Sequence, residues 1–154
     1  MIANGMEPVP DQLGSQDPVE DRLVLRSTLS DMERLPAWLD VMAARFGLKD
    51  RVKFAVHLCL EEVVSNVIRH GYGNVEGQLV TVYCAQAGGG CLVFTVEDDA
   101  PPFNPLEGAL LPAIGDLGAG ELGGQGIRLL RGFADAIEYE PKPKGNRLHM
   151  SFRG

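Results

Sequence analysis

Cysteine is scarce. Of 154 residues only Cys59, Cys84 and Cys91 are cysteine, an odd number without a C-x-x-C pair. That spacing excludes a disulfide framework and a clustered zinc site, and leaves the reduced core thiols of a cytoplasmic protein. Long apolar runs are missing too, since none reaches the roughly 18 residues that suggest a membrane span. The first residues lack the basic and then apolar pattern of a secretory signal. There is no internal repeat, no heptad pattern and no G-x-x-x-x-G-K-S/T phosphate loop. Basic residues are in deficit: 14 Lys and Arg face 21 Asp and Glu, for a net charge of −7. That balance argues against general binding to a nucleic-acid backbone and leaves proteins and small molecules as partners.

What is present is an ordinary globular composition, 45% hydrophobic and 23% charged, with an excess of glycine. Seven of the 19 glycines fall between Gly108 and Gly126. Residues 1–20 carry three Pro, two Gly and few large apolar groups, so they read as a disordered acidic tail. Residues 21–154 read as a single domain.

Alternation predicts a strand over Asp21 to Leu29, with Leu23, Leu25 and Ser27 on one face. The box Ser30-Asp31-Met32-Glu33 predicts reciprocal capping of a helix carrying Leu35, Leu39, Met42 and Phe46. Pro36 allows a kink or a later start, and Gly47 ends the helix. Lys49 to His70 reads as one longer helix with a buried stripe of Val52, Val56, Cys59, Val63 and Val67. Gln78–Gln86 and Cys91–Glu97 form a hairpin, and a long loop covers Pro102 to Leu122. A helix over Gly126–Phe133 and strands over Ala136–Glu140 and Asn146–Phe152 close the chain. This order predicts an α+β fold, a two-layer sandwich of a mostly antiparallel sheet with helices on one face.

Three constellations carry chemistry. In the first, Glu62 and Asn66 stand four apart on a helix and share a face. An amide oxygen there can bind Mg²⁺, and a carboxylate can align or deprotonate a hydroxyl. By itself this spacing also describes a solvated helix face. In the second, Val96-Glu97-Asp98-Asp99-Ala100-Pro101-Pro102-Phe103-Asn104-Pro105, an apolar strand ends in two Asp. An Asp there can accept a hydrogen bond from an exocyclic amine, or merely start a turn. In the third, Gly123-Gly124-Gln125-Gly126-Ile127 runs into an apolar helix, as a phosphate cradle or a flexible turn does.

Taken in order, these residues resemble the ATPase superfamily of DNA gyrase and the histidine kinases, the Bergerat fold. Within it, the chain resembles the small bacterial anti-sigma-factor serine/threonine kinases. Glu62 to Asn66, His70-Gly71-Tyr72, Asp98 to Pro105, Gly123 to Ile127 and Gly145-Asn146-Arg147-Leu148 carry the likeness. The resemblance implies that Glu62 is the general base and that Asn66 binds Mg²⁺. It implies that Asp98 receives the adenine amino group. It places Arg69, His70, Ala100, Pro102, Phe103, Gly123, Gly124, Gln125, Gly126, Ile127 and Asn146 around ATP, with 102–122 as a lid. It implies a homodimer that binds a sigma factor and phosphorylates a serine of an anti-sigma-factor antagonist.

Two positions depart from the family pattern. Ala100 stands where glycine is usual, which narrows the room near the base. Leu122 stands where kinase members often carry an Arg near the transferred phosphate, a cation worth roughly 10³-fold in rate. Arg69, Arg128 and Arg131 are the alternatives to it. Two other readings follow: a nucleotide-gated binding module without catalysis, or a detached histidine-kinase-type ATPase domain. The latter lacks room for a phosphoacceptor helix pair.

Overall fold

A computed structural model describes residues 21–108, 128 and 130–153. The expected tail, residues 1–20, lies outside the described residues, as do residues 109–127. Five strands, β1 (Asp21–Arg26), β2 (Leu79–Ala87), β3 (Cys91–Asp98), β4 (Ala136–Pro141) and β5 (Asn146–Arg153), form one sheet in the order β1-β2-β3-β5-β4. Every neighbouring pair is antiparallel. Helices α1 (Arg34–Phe46) and α2 (Asp50–Asn66) connect β1 to β2. A single turn, α3 (Pro105–Gly108), opens the expected long loop, and Arg128 and residues 130–133 belong to a last helix, α4. The predicted α+β sandwich is therefore the observed architecture. None of the described helices is long and apolar enough to cross a membrane.

Strand periodicity builds the core. Leu23, Val82, Val96 and Leu148 form one cross-strand row, and Cys84, Phe94 and Met150 another, all buried. Leu35, Leu39 and Met42 of α1 and Val56, Cys59, Leu60, Val63 and Val64 of α2 cover them. Phe94 presents edges to Trp38 and Phe152, at 6.2 and 6.0 Å between ring centroids. Each fully buried aliphatic or aromatic side chain contributes about 1.5–3 kcal/mol. A third row, Leu25, Val80, Asp98 and Asn146, ends in polar residues on this same inner face.

Four local expectations are corrected. The first strand stops at Arg26, because Asp31 Oδ2 accepts the Arg26 N–H at 2.7 Å and turns the chain. The Ser30 capping box does not form: the Ser30 hydroxyl faces Thr28 Oγ1 at 3.2 Å, and it is Thr28 Oγ1 that accepts the Asp31 N–H. A short 3₁₀ turn, Asp31–Glu33, precedes α1, so Pro36 falls in the first helical turn, where its missing N–H costs nothing. The second helix is α-helical only to Asn66; Val67–Gly71 is a π-helical turn. Gly47, at φ 66°, ends α1 as expected.

Candidate functional site

The site has a helix half and a strand half. On α2, burial of Val63 and Val64 places Glu62 and Asn66, four residues apart, half-buried at the stripe's edge. Asn66 Oδ1 is buried and has no hydrogen-bond partner among the described residues. An orphaned buried acceptor costs about 1–3 kcal/mol, so it stands out where nearly all such groups are paired. A hard cation is one partner that fits it. Among the described residues no three His, Cys, Asp or Glu side chains cluster to hold a metal. Mg²⁺ commonly takes its other ligands from phosphates and water, with one or two protein groups. Burial, and then the charge of Glu62, pushes the Cys59 thiol up to about 12, so it is inert core.

The π-helical turn follows at once, with the Tyr72 N–H bonded to Val67 O at 2.8 Å. Single π turns recur at functional sites because they re-aim side chains. Here Arg69 and His70 become exposed while Ile68 stays buried.

The strand half centres on Asp98, 5% exposed, and Asn146, 9% exposed. They are direct cross-strand neighbours of β3 and β5 on the inner face. Asp98 Oδ1 accepts the Asn146 Nδ2–H at 2.9 Å and the Ala100 N–H at 2.8 Å. Among the described residues Oδ2 accepts no hydrogen bond, which leaves one oxygen available to a ligand. Burial raises the Asp98 carboxyl above its ordinary range, against the opposing pull of Asn146, the Ala100 N–H and Lys142. Gly145 is required beside it: at φ 109°, an added Cβ would stand 1.9 Å from Asp98 O.

Two contacts join the halves. A Cβ at Gly71 would meet the Ala100 methyl at 3.1 Å, so the end of the π turn packs on the Asp98 turn. That contact places the Ala100 methyl against Gly71. The Tyr72 hydroxyl accepts the Asp99 N–H and donates to Leu79 O, each at 2.7 Å. Tyr72, Tyr139 and Lys142 are supports that sequence reasoning assigned no role. Tyr139 donates to Asn146 Oδ1, and Lys142 Nζ reaches Asp98 O and Asp99 Oδ1, each at 3.2 Å. The only sequence signal was position: Tyr72 follows His70-Gly71, and the other two flank the turn before Gly145-Asn146.

The structure thus brings Asp98, Ala100, Phe103 and Asn146 into one hydrogen-bonded cluster. Phe103 donates its N–H to Asn146 Oδ1 at 2.8 Å while the residue is 64% exposed, and Pro102 is exposed. Arg128 and Arg131 are exposed on α4. The expected phosphate cradle, Gly123, Gly124, Gln125, Gly126 and Ile127, lies outside the described residues, with Leu122 and most of the expected lid.

Residues 25–152 match the family model described as histidine kinase-like ATPase domain. The chain belongs to that family. Membership implies ATP as the bound nucleotide, and the two halves just described span the matched residues. The chain is 24% identical over 131 residues to the serine/threonine-protein kinase BtrW of Bordetella bronchiseptica, covering 85% of this chain and 92% of that protein. It is also similar to the histidine kinase domain of the Erythrobacter litoralis blue-light activated histidine kinase EL346, with 17% identity and a TM-score of 0.50. That likeness covers 80% of this chain and 59% of the other. A longer structure of the same kinase gives a TM-score of 0.51 at 17% identity, covering 80% of this chain and 40% of that one. These histidine kinase likenesses concern the fold; this chain spans about three-fifths or less of each.

Proposed function

We propose that this protein is an ATP-dependent serine/threonine kinase that regulates transcription by binding a sigma factor and phosphorylating a serine of an anti-sigma-factor antagonist. The observation that carries the nucleotide part is that, among the described residues, Asp98 Oδ2 accepts no hydrogen bond and the buried amide oxygen of Asn66 has no partner. The kinase part draws support from the likeness to a serine/threonine-protein kinase over 92% of that protein's length.

In this reading Asp98 Oδ2 accepts the adenine amino group, with Asn146 and the Ala100 N–H holding the carboxylate in place. Pro102 and Phe103 border the base. Asn66 holds Mg²⁺, which neutralises phosphate charge when bound. Arg69 and His70, exposed on the π turn, flank the phosphates, and residues 123–127 cradle them with backbone N–H groups. Glu62, one helical turn before Asn66, orients and accepts the proton of the incoming serine hydroxyl. Phosphoryl transfer asks mainly for positioning and charge neutralisation, so a base, a cation ligand and a backbone cradle suffice. The protein works in the cytoplasm as a homodimer.

Radiolabel transfer from ATP to a cognate antagonist tests this. The expected result is phosphoserine on the antagonist with wild type and none with Glu62→Ala, at equal ATP binding. Equal ATP binding with no transfer by wild type would leave a nucleotide-gated binding module, the reading that Leu122 in place of Arg favours. Transfer to a response regulator would instead make it a histidine-kinase-type domain.

A further inference from the structure

Asn146 uses all of its hydrogen-bonding capacity. Oδ1 accepts the Phe103 N–H and the Tyr139 hydroxyl. Nδ2 donates to Asp98 Oδ1 at 2.9 Å and Pro101 O at 3.2 Å, with Ala100 O at 3.5 Å. A backbone N–H is only a donor, so Phe103 forces the amide oxygen to its side. Tyr139 adds a second donor on that same side. Flipped, the amide would turn its own NH₂ to the Phe103 N–H and its oxygen to Asp98 Oδ1, so its N–H must face Asp98. Asp98 Oδ1 is then filled twice over, by Asn146 and by the Ala100 N–H. Oδ1 is therefore an acceptor whose positions are taken, any proton on the carboxyl would have to sit on Oδ2, and among the described residues Oδ2 is the one oxygen left to a ligand.

We propose that Tyr139, on β4 and outside every motif, is a specificity-determining positioning residue: through Asn146 it holds Asp98 as a one-oxygen acceptor that selects a 6-aminopurine nucleotide over a 6-oxopurine one. This rests on the reading of Asp98 as the base-binding residue. The chemistry follows from counting donors and acceptors. A 6-amino group donates one hydrogen bond to a single carboxylate oxygen. A 6-oxopurine with a 2-amino group presents two adjacent donors, N1–H and the 2-amino N–H, which pair with a carboxylate through both oxygens. With Oδ1 occupied that second arrangement is closed. A protonated carboxyl would donate to a 6-oxo group instead, and the two N–H groups on Oδ1 oppose protonation. The charged and titratable groups around Asp98 are Lys142, which favours its ionised form, Asp99, whose charge disfavours it, and Tyr72, whose own pKa burial raises so that it stays a neutral phenol; Tyr139 reaches it only through Asn146.

The test is calorimetric binding of ATP and GTP, with Mg²⁺, from pH 5 to pH 8, to the full chain and two variants, with circular dichroism to check folding. Wild type is expected to prefer ATP and to lose ATP affinity as Asp98 protonates in acid. Tyr139→Phe removes one oxygen and keeps the ring packed. It is expected to weaken ATP about threefold to tenfold, the scale of one neutral hydrogen bond, without weakening GTP, and to begin its acid loss at a higher pH. Asn146→Asp puts a second carboxylate against Asp98. Its ATP affinity is expected to fall about a hundredfold at pH 8 and to recover on acidification, when residue 146 again carries a proton to donate. That direction is opposite to wild type, and a purely structural role would not produce it. An unchanged ATP to GTP ratio and pH profile in Tyr139→Phe, or a wild-type pH direction in Asn146→Asp, would overturn the proposal. A wild type that binds no ATP would overturn the base-site reading itself, and the proposal with it.

Discussion

At the strand end of the site, both polar atoms of the Asn146 side chain are bonded to protein; at the helix end, Asn66 Oδ1 is buried with no partner among the described residues. The two amides sit in the same fold and differ in what surrounds them. Asn146 begins a central strand, where register places Asp98 opposite and the next turn supplies the Phe103 N–H. Asn66 ends a helix whose own backbone groups are already engaged, so its side chain must look elsewhere. The Asn146 amide of the strand half is complete before any ligand arrives. The helix half carries an unmet acceptor that a bound cation can satisfy. The difference separates positioning from binding: one half is stabilised by the fold, the other costs the fold something until it is occupied.

The comparison can be broken most severely at Gly145. Gly145→Ala drives a methyl onto Asp98 O at a φ that disfavours any side chain. The expected loss is about 3 kcal/mol or more in urea unfolding, with ATP binding abolished. Next in size is Asp98→Asn, which keeps an acceptor for Asn146 and the Ala100 N–H but offers a donor to the ligand. ATP affinity should drop about a hundredfold by calorimetry. Stability should move the other way with pH. Burial raises the folded Asp98 pKa above the unfolded value. The wild-type fold is therefore favoured below the unfolded value and loses that contribution as pH rises through the folded one. The variant does not titrate, so its stability relative to wild type should rise with pH in urea titrations.

Asn66→Leu sharpens the contrast from the helix side. Removing an orphaned acceptor and adding a better helix former should stabilise the nucleotide-free protein by about 1 kcal/mol. The same change should weaken Mg²⁺-dependent ATP binding at least about tenfold; a variant that loses both stability and binding would mean that Asn66 Oδ1 is satisfied within the fold. The smallest effect lies on the outer sheet face. There Glu140 accepts from His149 at 2.8 Å and Arg147 at 3.0 Å, and the His149 bond is the main cause that lowers its pKa, with burial opposing. A lowered carboxyl pKa contributes stability above the unfolded value and loses it as pH falls through the folded one. Glu140→Gln should cost less than about 1 kcal/mol at neutral pH, because the pair is exposed, and nothing in strong acid. Its ATP affinity should match wild type.

Much of this was legible residue by residue. Leu92, Phe94 and Val96 alternate so plainly that Asp98, two further on, had to share their inward face. The Glu62 to Asn66 spacing put both groups on one side of a helix, and Gly47 marked the end of α1. The Ser30 box failed because a capping motif is only a local option. The Glu33 N–H that Ser30 Oγ was to cap is bonded to the Ser30 carbonyl at 3.2 Å, and the Ser30 hydroxyl faces Thr28 Oγ1 instead. The π turn was invisible because Val67 to Gly71 continues a helical pattern without a break, and only packing of Gly71 on Ala100 and of Tyr72 on Asp99 shows what it places.

Strand alternation and helical spacing were sufficient for the α+β class and for the faces on which Glu62, Asn66 and Asp98 lie, because each depends on periods of two or four residues along the chain; the roles expected of those residues came from the resemblance of the ordered motifs. Tertiary structure decided which oxygen of Asp98 is filled by protein donors, which way the Asn146 amide points, and that Asn66 Oδ1 has no partner among the described residues. The first two depend on Tyr139 and Phe103, residues that only the sheet register and its turns bring to Asn146. Hydrogen-bond satisfaction is a property of neighbours in space, and a linear order of residue types does not contain it.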